Sequence, residues 1–221
     1  MKFYSLLILF LFWPLLQFAQ HQDAVSSFAF QIEKKLNQTF SVSYYSQVGF
    51  NENITEYGYS LYDLGLNIKL TDNFYAGYNY RIANIKSNEN KYLDRQMMYV
   101  DIGWVKSFGK FNLNIRSRYL NKWYGWNFDE NNNYKDNAHY FRNKIQLKYA
   151  INYNYSIYAS CEQIYRLDLR NETEQLRYGG GINYQINSKN KLQLSYIISR
   201  EQNRAKPDTN FTTGLTYYFK F

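Results

Sequence analysis

The chain has 221 residues, a length that suits one domain. Its composition excludes a disordered chain, because aromatic residues make up 20% of it and include 25 tyrosines, whereas disordered chains are poor in aromatics. The formal net charge of +8 raises nucleic acid as a partner, but the basic residues alternate with apolar ones inside predicted strands, which excludes it. Tyrosine and tryptophan accumulate where a surface passes from apolar to wet, as in the girdles of membrane barrels, so the composition indicates such an interface.

The first 19 residues have the features of a secretory signal peptide. Lys2 supplies a positive start, an apolar run extends from Leu6 to Leu16, and the small Ala19 provides a cleavage point. The run is too short to span a bilayer comfortably. We therefore predict a signal peptide at 1–19 and one exported domain at 20–221.

The exported domain offers neither disulfides nor helical spans. Its single cysteine, Cys161, rules out an intrachain disulfide framework. Beyond Ala19 no apolar stretch approaches the roughly 20 residues that a helical span requires. An exported, aromatic-rich chain of this kind fits a bacterial outer membrane best, and we predict that location.

The exported domain alternates between apolar and polar residues with a period of two, which is typical of strands. Near its end, for example, Leu192 and Leu194 lie on one face and Gln193 and Ser195 on the other. Eleven such segments are predicted in chain order, at 26–36, 39–50, 57–70, 74–86, 92–108, 111–124, 139–151, 155–167, 174–186, 190–200 and 210–221. Short turns alternate with longer polar connections between them, which is the pattern of an outer-membrane barrel with its short turns in the periplasm.

This pattern predicts an all-β fold, an antiparallel transmembrane β-barrel of ten to twelve strands. Bacterial single-chain barrels have even numbers of strands, whereas eleven segments is an odd number. Either the first segment is not a barrel strand, which leaves ten, or a further strand gives twelve. The residues leave both alternatives open.

The final segment, "NFTTGLTYYFKF", ends on an aromatic residue after a regular alternation. A sheet in lipid cannot expose an edge, so we expect this strand to close the barrel. It resembles the C-terminal signal that the barrel-assembly machinery recognises in its clients. That resemblance implies a recognition role for Leu215, Tyr217, Phe219 and Phe221.

If the apolar parity faces lipid, the opposite parity places a polar cluster in the lumen. Its charged members are Asp63, Arg81, Asp101, Arg116, Arg118, Arg142, Lys144, Glu162, Arg166 and Arg177. One interpretation is a packed ladder in which the basic residues pair with the three carboxylates. The other is an anion-attracting lumen, because basic side chains outnumber acidic ones.

Five short motifs carry a resemblance: "AGYNYRI" at 76–82, "IRSRY" at 115–119, "YFRNKIQLKY" at 140–149, "SCEQIY" at 160–165 and "LRYGGGINY" at 176–184. They are similar to the Gly-Tyr-Arg, Arg-x-Arg-Tyr, Glu-x-aromatic and Arg-x-x-x-Gly signposts of a family of outer-membrane barrels from Bacteroidota-type bacteria. The family is the domain of unknown function numbered two-four-nine-zero. The resemblance implies a barrel in the outer membrane and no particular activity.

The sequence offers little for catalysis or for metal binding. The only histidines are His21, beside the signal peptide, and His139, which has no serine one or two residues away. The acidic loop from Asp129 resembles a calcium loop but lacks its sixth-position glycine and its bidentate glutamate. We therefore expect no cofactor, no metal and no enzymatic activity.

The predicted function is that of a structural or adaptor component of the envelope, or of a narrow pore with an arginine-rich lumen. Two alternatives are a lipid-modifying barrel enzyme and a soluble lipocalin-like barrel that binds a ligand. The expected partners are outer-membrane lipid and lipopolysaccharide, the barrel-assembly machinery during insertion, and another envelope protein complex.

Overall fold

The computed structural model describes residues 22–86, 91–124, 137–168 and 171–221. Eleven strands lie in these ranges: β1 Gln22–Lys35, β2 Phe40–Asn51, β3 Glu56–Lys69, β4 Phe74–Lys86, β5 Tyr92–Phe108, β6 Phe111–Tyr124, β7 Ala138–Ala150, β8 Tyr155–Arg166, β9 Glu172–Gln185, β10 Asn190–Glu201 and β11 Thr209–Lys220. None of the described residues forms a helix long and apolar enough to cross a membrane. The predicted signal peptide, His21 and residues 129–136 of the acidic loop lie outside the described residues.

The eleven strands form a closed barrel, which confirms the predicted all-β barrel. Every neighbouring pair is antiparallel except β1 and β11, which pair in parallel from Gln22 opposite Thr209 to Glu33 opposite Lys220. The count of eleven lies within the predicted range of ten to twelve, but neither even alternative holds, because the first segment is a barrel strand and, within the described ranges, no twelfth strand joins the closed sheet. When all other neighbours are antiparallel, an even number of strands is needed only if the first and last strands also pair antiparallel. Here both run the same way, so an odd number closes the sheet.

The barrel has two different rims. The short-turn rim carries the connections 36–39, 70–73, 109–110, 151–154 and 186–189, and the loop rim carries the connections at the other strand ends. Strands β1 and β11 both run toward the short-turn rim. There the backbone N–H of Phe221 donates to the carbonyl oxygen of Glu33 (3.0 Å), and the N–H of Lys35 donates to that of Phe221 (3.1 Å). These bonds extend the β1–β11 pairing to Phe221.

Four of the five short turns are built in the same way from one polar side chain. The side-chain oxygens of Asn37, Asn152 and Asn187 each accept bonds from the backbone N–H groups two and three residues later, at 2.7–3.0 Å. Thr71 does the same with its hydroxyl. Such side chains mimic a backbone turn. The fifth turn uses Gly109, whose φ of 59° suits glycine.

Successive residues alternate across the barrel wall. Leu64 is 62% exposed beside Asp63 at 6%, and Ile102 is 59% exposed beside Asp101 at 8%. The outer face is thus apolar and the interior is polar. A soluble barrel would have the opposite arrangement, so the structure disfavours the lipocalin-like alternative.

Tyrosines occur on both faces of the wall: Tyr155 and Tyr184 are exposed on the outer face, whereas Tyr59 and Tyr75 line the interior. The ring of Tyr75 lies where a Cβ on Gly103 would stand, 2.1 Å from the nearest ring atom. Tyr59 occupies the space beside Gly49 in the same way, at 2.2 Å. Glycines on neighbouring strands therefore seat these rings flat against the wall.

Candidate functional site

The interior is stratified along the barrel axis. Its middle level, the charged layer, consists of Asp63, Arg81, Asp101, Arg116, Arg118, Arg142, Lys144, Glu162 and Arg177, which the structure places on the inward faces of β3 to β9. All of them belong to the lumen cluster named from the sequence. Because the strands alternate in direction, residues far apart in the chain meet at this level.

Two arginines of the charged layer have a carboxylate each. Arg81 donates from Nε and Nη2 to the two oxygens of Asp63, both at 2.6 Å. Arg118 grips Asp101 in the same bidentate manner at 2.6 and 2.8 Å. This is the geometry in which a guanidinium and a carboxylate pair most strongly.

Tyr99 joins the two pairs, a role that no sequence pattern indicated. Its hydroxyl donates to Asp63 at 2.8 Å, and the guanidinium of Arg118 lies over its ring at 3.7 Å. Arg81 lies 5.5 Å from the same ring. A phenol provides both a hydrogen-bond donor and a π face for a cation, so the two ion pairs form one buried unit.

The remaining carboxylate, Glu162, is shared. Arg116 donates from Nη2 to Oε1 at 2.8 Å, and Arg142 donates from Nη2 to Oε2 at 2.9 Å. Nη1 of Arg177 lies 4.0 Å from Oε2. Lys144 stands between Arg116 and Glu162 in the strand register. The charged layer thus holds six basic side chains and three carboxylates, and the excess lies around Glu162.

Arg166 lies apart from the charged layer. It sits at the loop rim, where it donates to Asp168 and lies 5.9 Å from the ring of Tyr140. Burial raises the pKa of the Asp168 carboxyl, but the hydrogen bond and the charge of Arg166 outweigh burial and hold that pKa below its ordinary value. Arg166 therefore secures a loop.

An apolar layer, formed by residues of β3 to β8, lies beside the charged layer on the side of the loop rim, and it was not predicted from the sequence. Its buried members are Ala83, Met97, Leu120, Ala138, Tyr140 and Ile164, with Leu61 and Ile85 packed against them. On β6, for example, Leu120 follows Arg118 by one interior position. These residues occupy the same inward-facing strand positions as the arginines. Their place in the alternating pattern was the feature of the sequence from which the layer could have been predicted.

The opposite side of the charged layer is open and basic. A cavity of about 740 Å³ at the short-turn rim is lined mainly by amide and hydroxyl side chains, together with Lys35, Lys69 and Glu33. Asn114, which lines the cavity, stands one interior position from Arg116 on β6. We call this cavity the vestibule.

Strand β7 carries a basic track from the short-turn rim to the charged layer. Its interior positions are, in order, Lys148, Gln146, Lys144 and Arg142, and they end at Tyr140 in the apolar layer. Lys191 on β10 lies close enough to Lys148 for the two charges to repel each other. Positive charge therefore extends from the rim to the middle of the barrel.

The other candidate residues do not assemble into a catalytic or metal site. His139 faces outward at the loop rim, where its Nδ1 lies 2.9 Å from the hydroxyl of Tyr119. Cys161 is a free, exposed thiol on the outer face. The described residues contain no group of three or more histidine, cysteine, aspartate or glutamate side chains placed to hold a metal ion.

The residues of the predicted assembly signal lie on the outer face of β11, except Phe221, which directly follows the strand. Leu215 and Phe221 are exposed, the ring of Tyr217 stacks on Phe30 at 5.8 Å, and Phe219 lies 5.3 Å from Phe221. Their recognition by the assembly machinery remains a prediction.

Comparison with known proteins places the chain in a family. Residues 28–210 match the model of the family described as "Protein of unknown function (DUF2490)". The chain belongs to DUF2490. The match extends from β1 into β11, so it covers nearly the whole barrel and confirms the resemblance that the motifs indicated. No protein of curated function matched the sequence significantly.

This DUF2490 barrel is also similar to solved structures. One is the NanC porin in a rhombohedral crystal form, with 12% sequence identity and a TM-score of 0.50. The alignment covers 80% of this chain and 86% of the porin chain. At this identity the likeness concerns the fold, which is porin-like.

Proposed function

We propose that this chain is a non-catalytic barrel of the bacterial outer membrane and that its interior is a narrow passage for small anions. The proposal rests on the charge of the charged layer, where six basic side chains face three carboxylates. A packed ladder with a purely structural role would be expected to balance its charges, since uncompensated buried charge is costly.

The geometry gives the passage a direction. The vestibule and the basic track lead from the short-turn rim to the charged layer, and the apolar layer lies beyond it. Positive potential focused by low-dielectric walls concentrates anions. An anion therefore reaches the arginines from the short-turn side, and on its way to the loop rim it must pass the apolar layer of β3 to β8. We expect a small, intermittent conductance.

The outer surface supports the location. Apolar side chains such as Leu64 and Ile102 would contact lipid, and the porin-like fold and family membership are consistent with an outer membrane. Fractionation of cells that express the full chain tests this, together with gel mobility before and after boiling. Retention in the outer membrane and a heat-dependent shift are expected. A periplasmic protein without a shift would contradict the proposal.

The surface of β11 is proposed to serve recognition by the barrel-assembly machinery, and the rims to contact lipopolysaccharide. Phe221→Ala should lower insertion in cells while leaving refolding of the purified chain into lipid vesicles unchanged. Equal losses in both assays would mean that Phe221 acts on stability alone.

The apolar layer favours a second candidate, a structural or adaptor barrel that does not conduct and that pairs with another envelope protein. Single-channel recording in planar bilayers separates the two candidates. Current steps from the purified barrel support the passage. Silent insertions, with the barrel shown to be folded by its gel mobility, would favour the adaptor.

A further inference from the structure

The three arginines around Glu162 use only part of their hydrogen-bonding capacity. Arg116 and Arg142 each make one N–H···O bond to Glu162, and the Arg177 contact is longer, at 4.0 Å. Arg177 also donates from Nε to Gln175 at 2.7 Å. By contrast, Arg118 engages Asp101 through two donors. The guanidinium groups around Glu162 therefore have N–H donors that make no hydrogen bond to a carboxylate.

Two donors in this group have no partner within the described parts of the chain. The Nε groups of Arg116 and Arg142 are buried and make no hydrogen bond there. A buried donor that carries charge is costly to leave unpaired. Both side chains are mostly buried, with 22% and 15% of the side-chain surface exposed. An acceptor outside the described parts of the chain would satisfy these two N–H groups.

We propose that Arg116, Arg142 and Arg177 form a binding site for an oxyanion beside Glu162, with Lys144 adding charge. The ligand class is a phosphate, a sulfate or the carboxylate of a small acidic solute. The inference rests on the proposed function, because it assigns a specific stopping point to the anions that enter from the short-turn rim.

The chemistry favours an oxyanion over chloride. A guanidinium presents its donors in a planar fork that matches two oxygens of a carboxylate or phosphate. The carboxylate of Glu162 already accepts hydrogen bonds from two of these guanidinium groups. The surplus positive charge of the group would be met best by a multivalent anion. Asn114 on β6 and Gln146 on β7 lie one interior position closer to the vestibule and mark the approach.

Equilibrium binding of inorganic phosphate to the purified full-length barrel in detergent tests the site. Phosphate is titrated at constant ionic strength against chloride, and the unfolding midpoint reports binding because a ligand stabilises the state that it binds. Wild type should show a saturable increase. Arg142→Gln should weaken binding by about tenfold or more, the effect of losing a charged hydrogen bond. Arg200→Gln, at an exposed arginine of β10, is the control and should bind as wild type.

Arg142→Lys is a second variant, included in case Arg142→Gln does not fold. It keeps the charge but loses the planar fork, so phosphate should bind more weakly than to wild type. Glu162→Gln gives the opposite test. Removal of the internal carboxylate should lower stability without phosphate, and phosphate should bind several-fold more tightly and restore the midpoint. A destabilised Glu162→Gln barrel that phosphate does not restore would overturn the site.

Sulfate and acetate in place of phosphate distinguish a preference for tetrahedral dianions from one for carboxylates. If none of the three shifts the wild-type midpoint while bilayer recordings still show anion current, the oxyanion site is wrong and the passage stands. If the recordings show no anion preference, the proposed function fails whatever the titration gives.

Discussion

The substitution Asp101→Asn probes the buried ion pairs most sharply. It preserves the shape of the side chain but removes the charge that Arg118 grips with two bonds of 2.6 and 2.8 Å. The two side chains are only 8% and 11% exposed. Breaking such a buried pair leaves an uncompensated charge and costs about 3–5 kcal/mol in the free energy of unfolding. The unpaired Arg118 would then lie near the guanidinium of Arg81, which faces the same Tyr99 ring, so the expected cost lies at the upper end of this range.

A matched control is available in the turn between β3 and β4. Asp72 pairs with Lys69 at 2.7 Å, a distance close to that of the buried pair, but its side chain is 91% exposed. Asp72→Asn should therefore leave stability unchanged within error, since exposed pairs are screened by water and salt. Urea titration of barrels refolded into lipid vesicles, followed by tryptophan fluorescence, measures both variants. Equal effects of the two substitutions would refute the view that burial makes the interior pairs important.

Three further predictions concern other parts of the barrel. Leu120→Ala, in the apolar layer, should raise the single-channel conductance and lower stability by about 2–5 kcal/mol, whereas unchanged conductance would mean that this layer does not limit passage. Gly103→Ala should destabilise the barrel because the new Cβ meets the ring of Tyr75, and adding Tyr75→Ala should relieve much of the loss in the same urea titration. The Asp168 carboxyl, with its lowered folded-state pKa, should stabilise the barrel above its unfolded-state pKa of about 3.9, and this contribution should disappear as the pH falls through the lower folded-state pKa. Wild type and Asp168→Asn should thus differ in unfolding free energy at neutral pH and converge in acid, and a constant difference would show that the carboxyl does not titrate in this way.

The strands and their faces were predictable because each is encoded locally. Leu192 and Leu194 alternate with Gln193 and Ser195, and such a period needs no knowledge of the rest of the chain. The number of strands was not settled in this way. Whether β1 pairs with β11 in parallel depends on how the sheet closes, and no short segment encodes that.

For the charged layer, the sequence predicts which residues belong to it but not how they pair. Parity placed Arg116, Arg118 and Glu162 on the inward face, but their pairing depends on register and reach across strands. Arg118 pairs with Asp101 directly opposite on β5, whereas Arg116 reaches Glu162 two strands away. The apolar layer was not predicted because Leu120 directly follows the outward-facing Tyr119. Adjacent apolar residues hide which of them faces inward.

The most direct test of the anion passage is the reversal potential of the wild-type barrel in a planar bilayer that separates two concentrations of KCl. A passage lined by surplus arginine and lysine should carry chloride in preference to potassium, so the reversal potential should have the sign of an anion-selective pore. Arg142→Gln should move it toward zero. A potassium-selective or unselective current would contradict the account, because the interior charge would then not govern what passes.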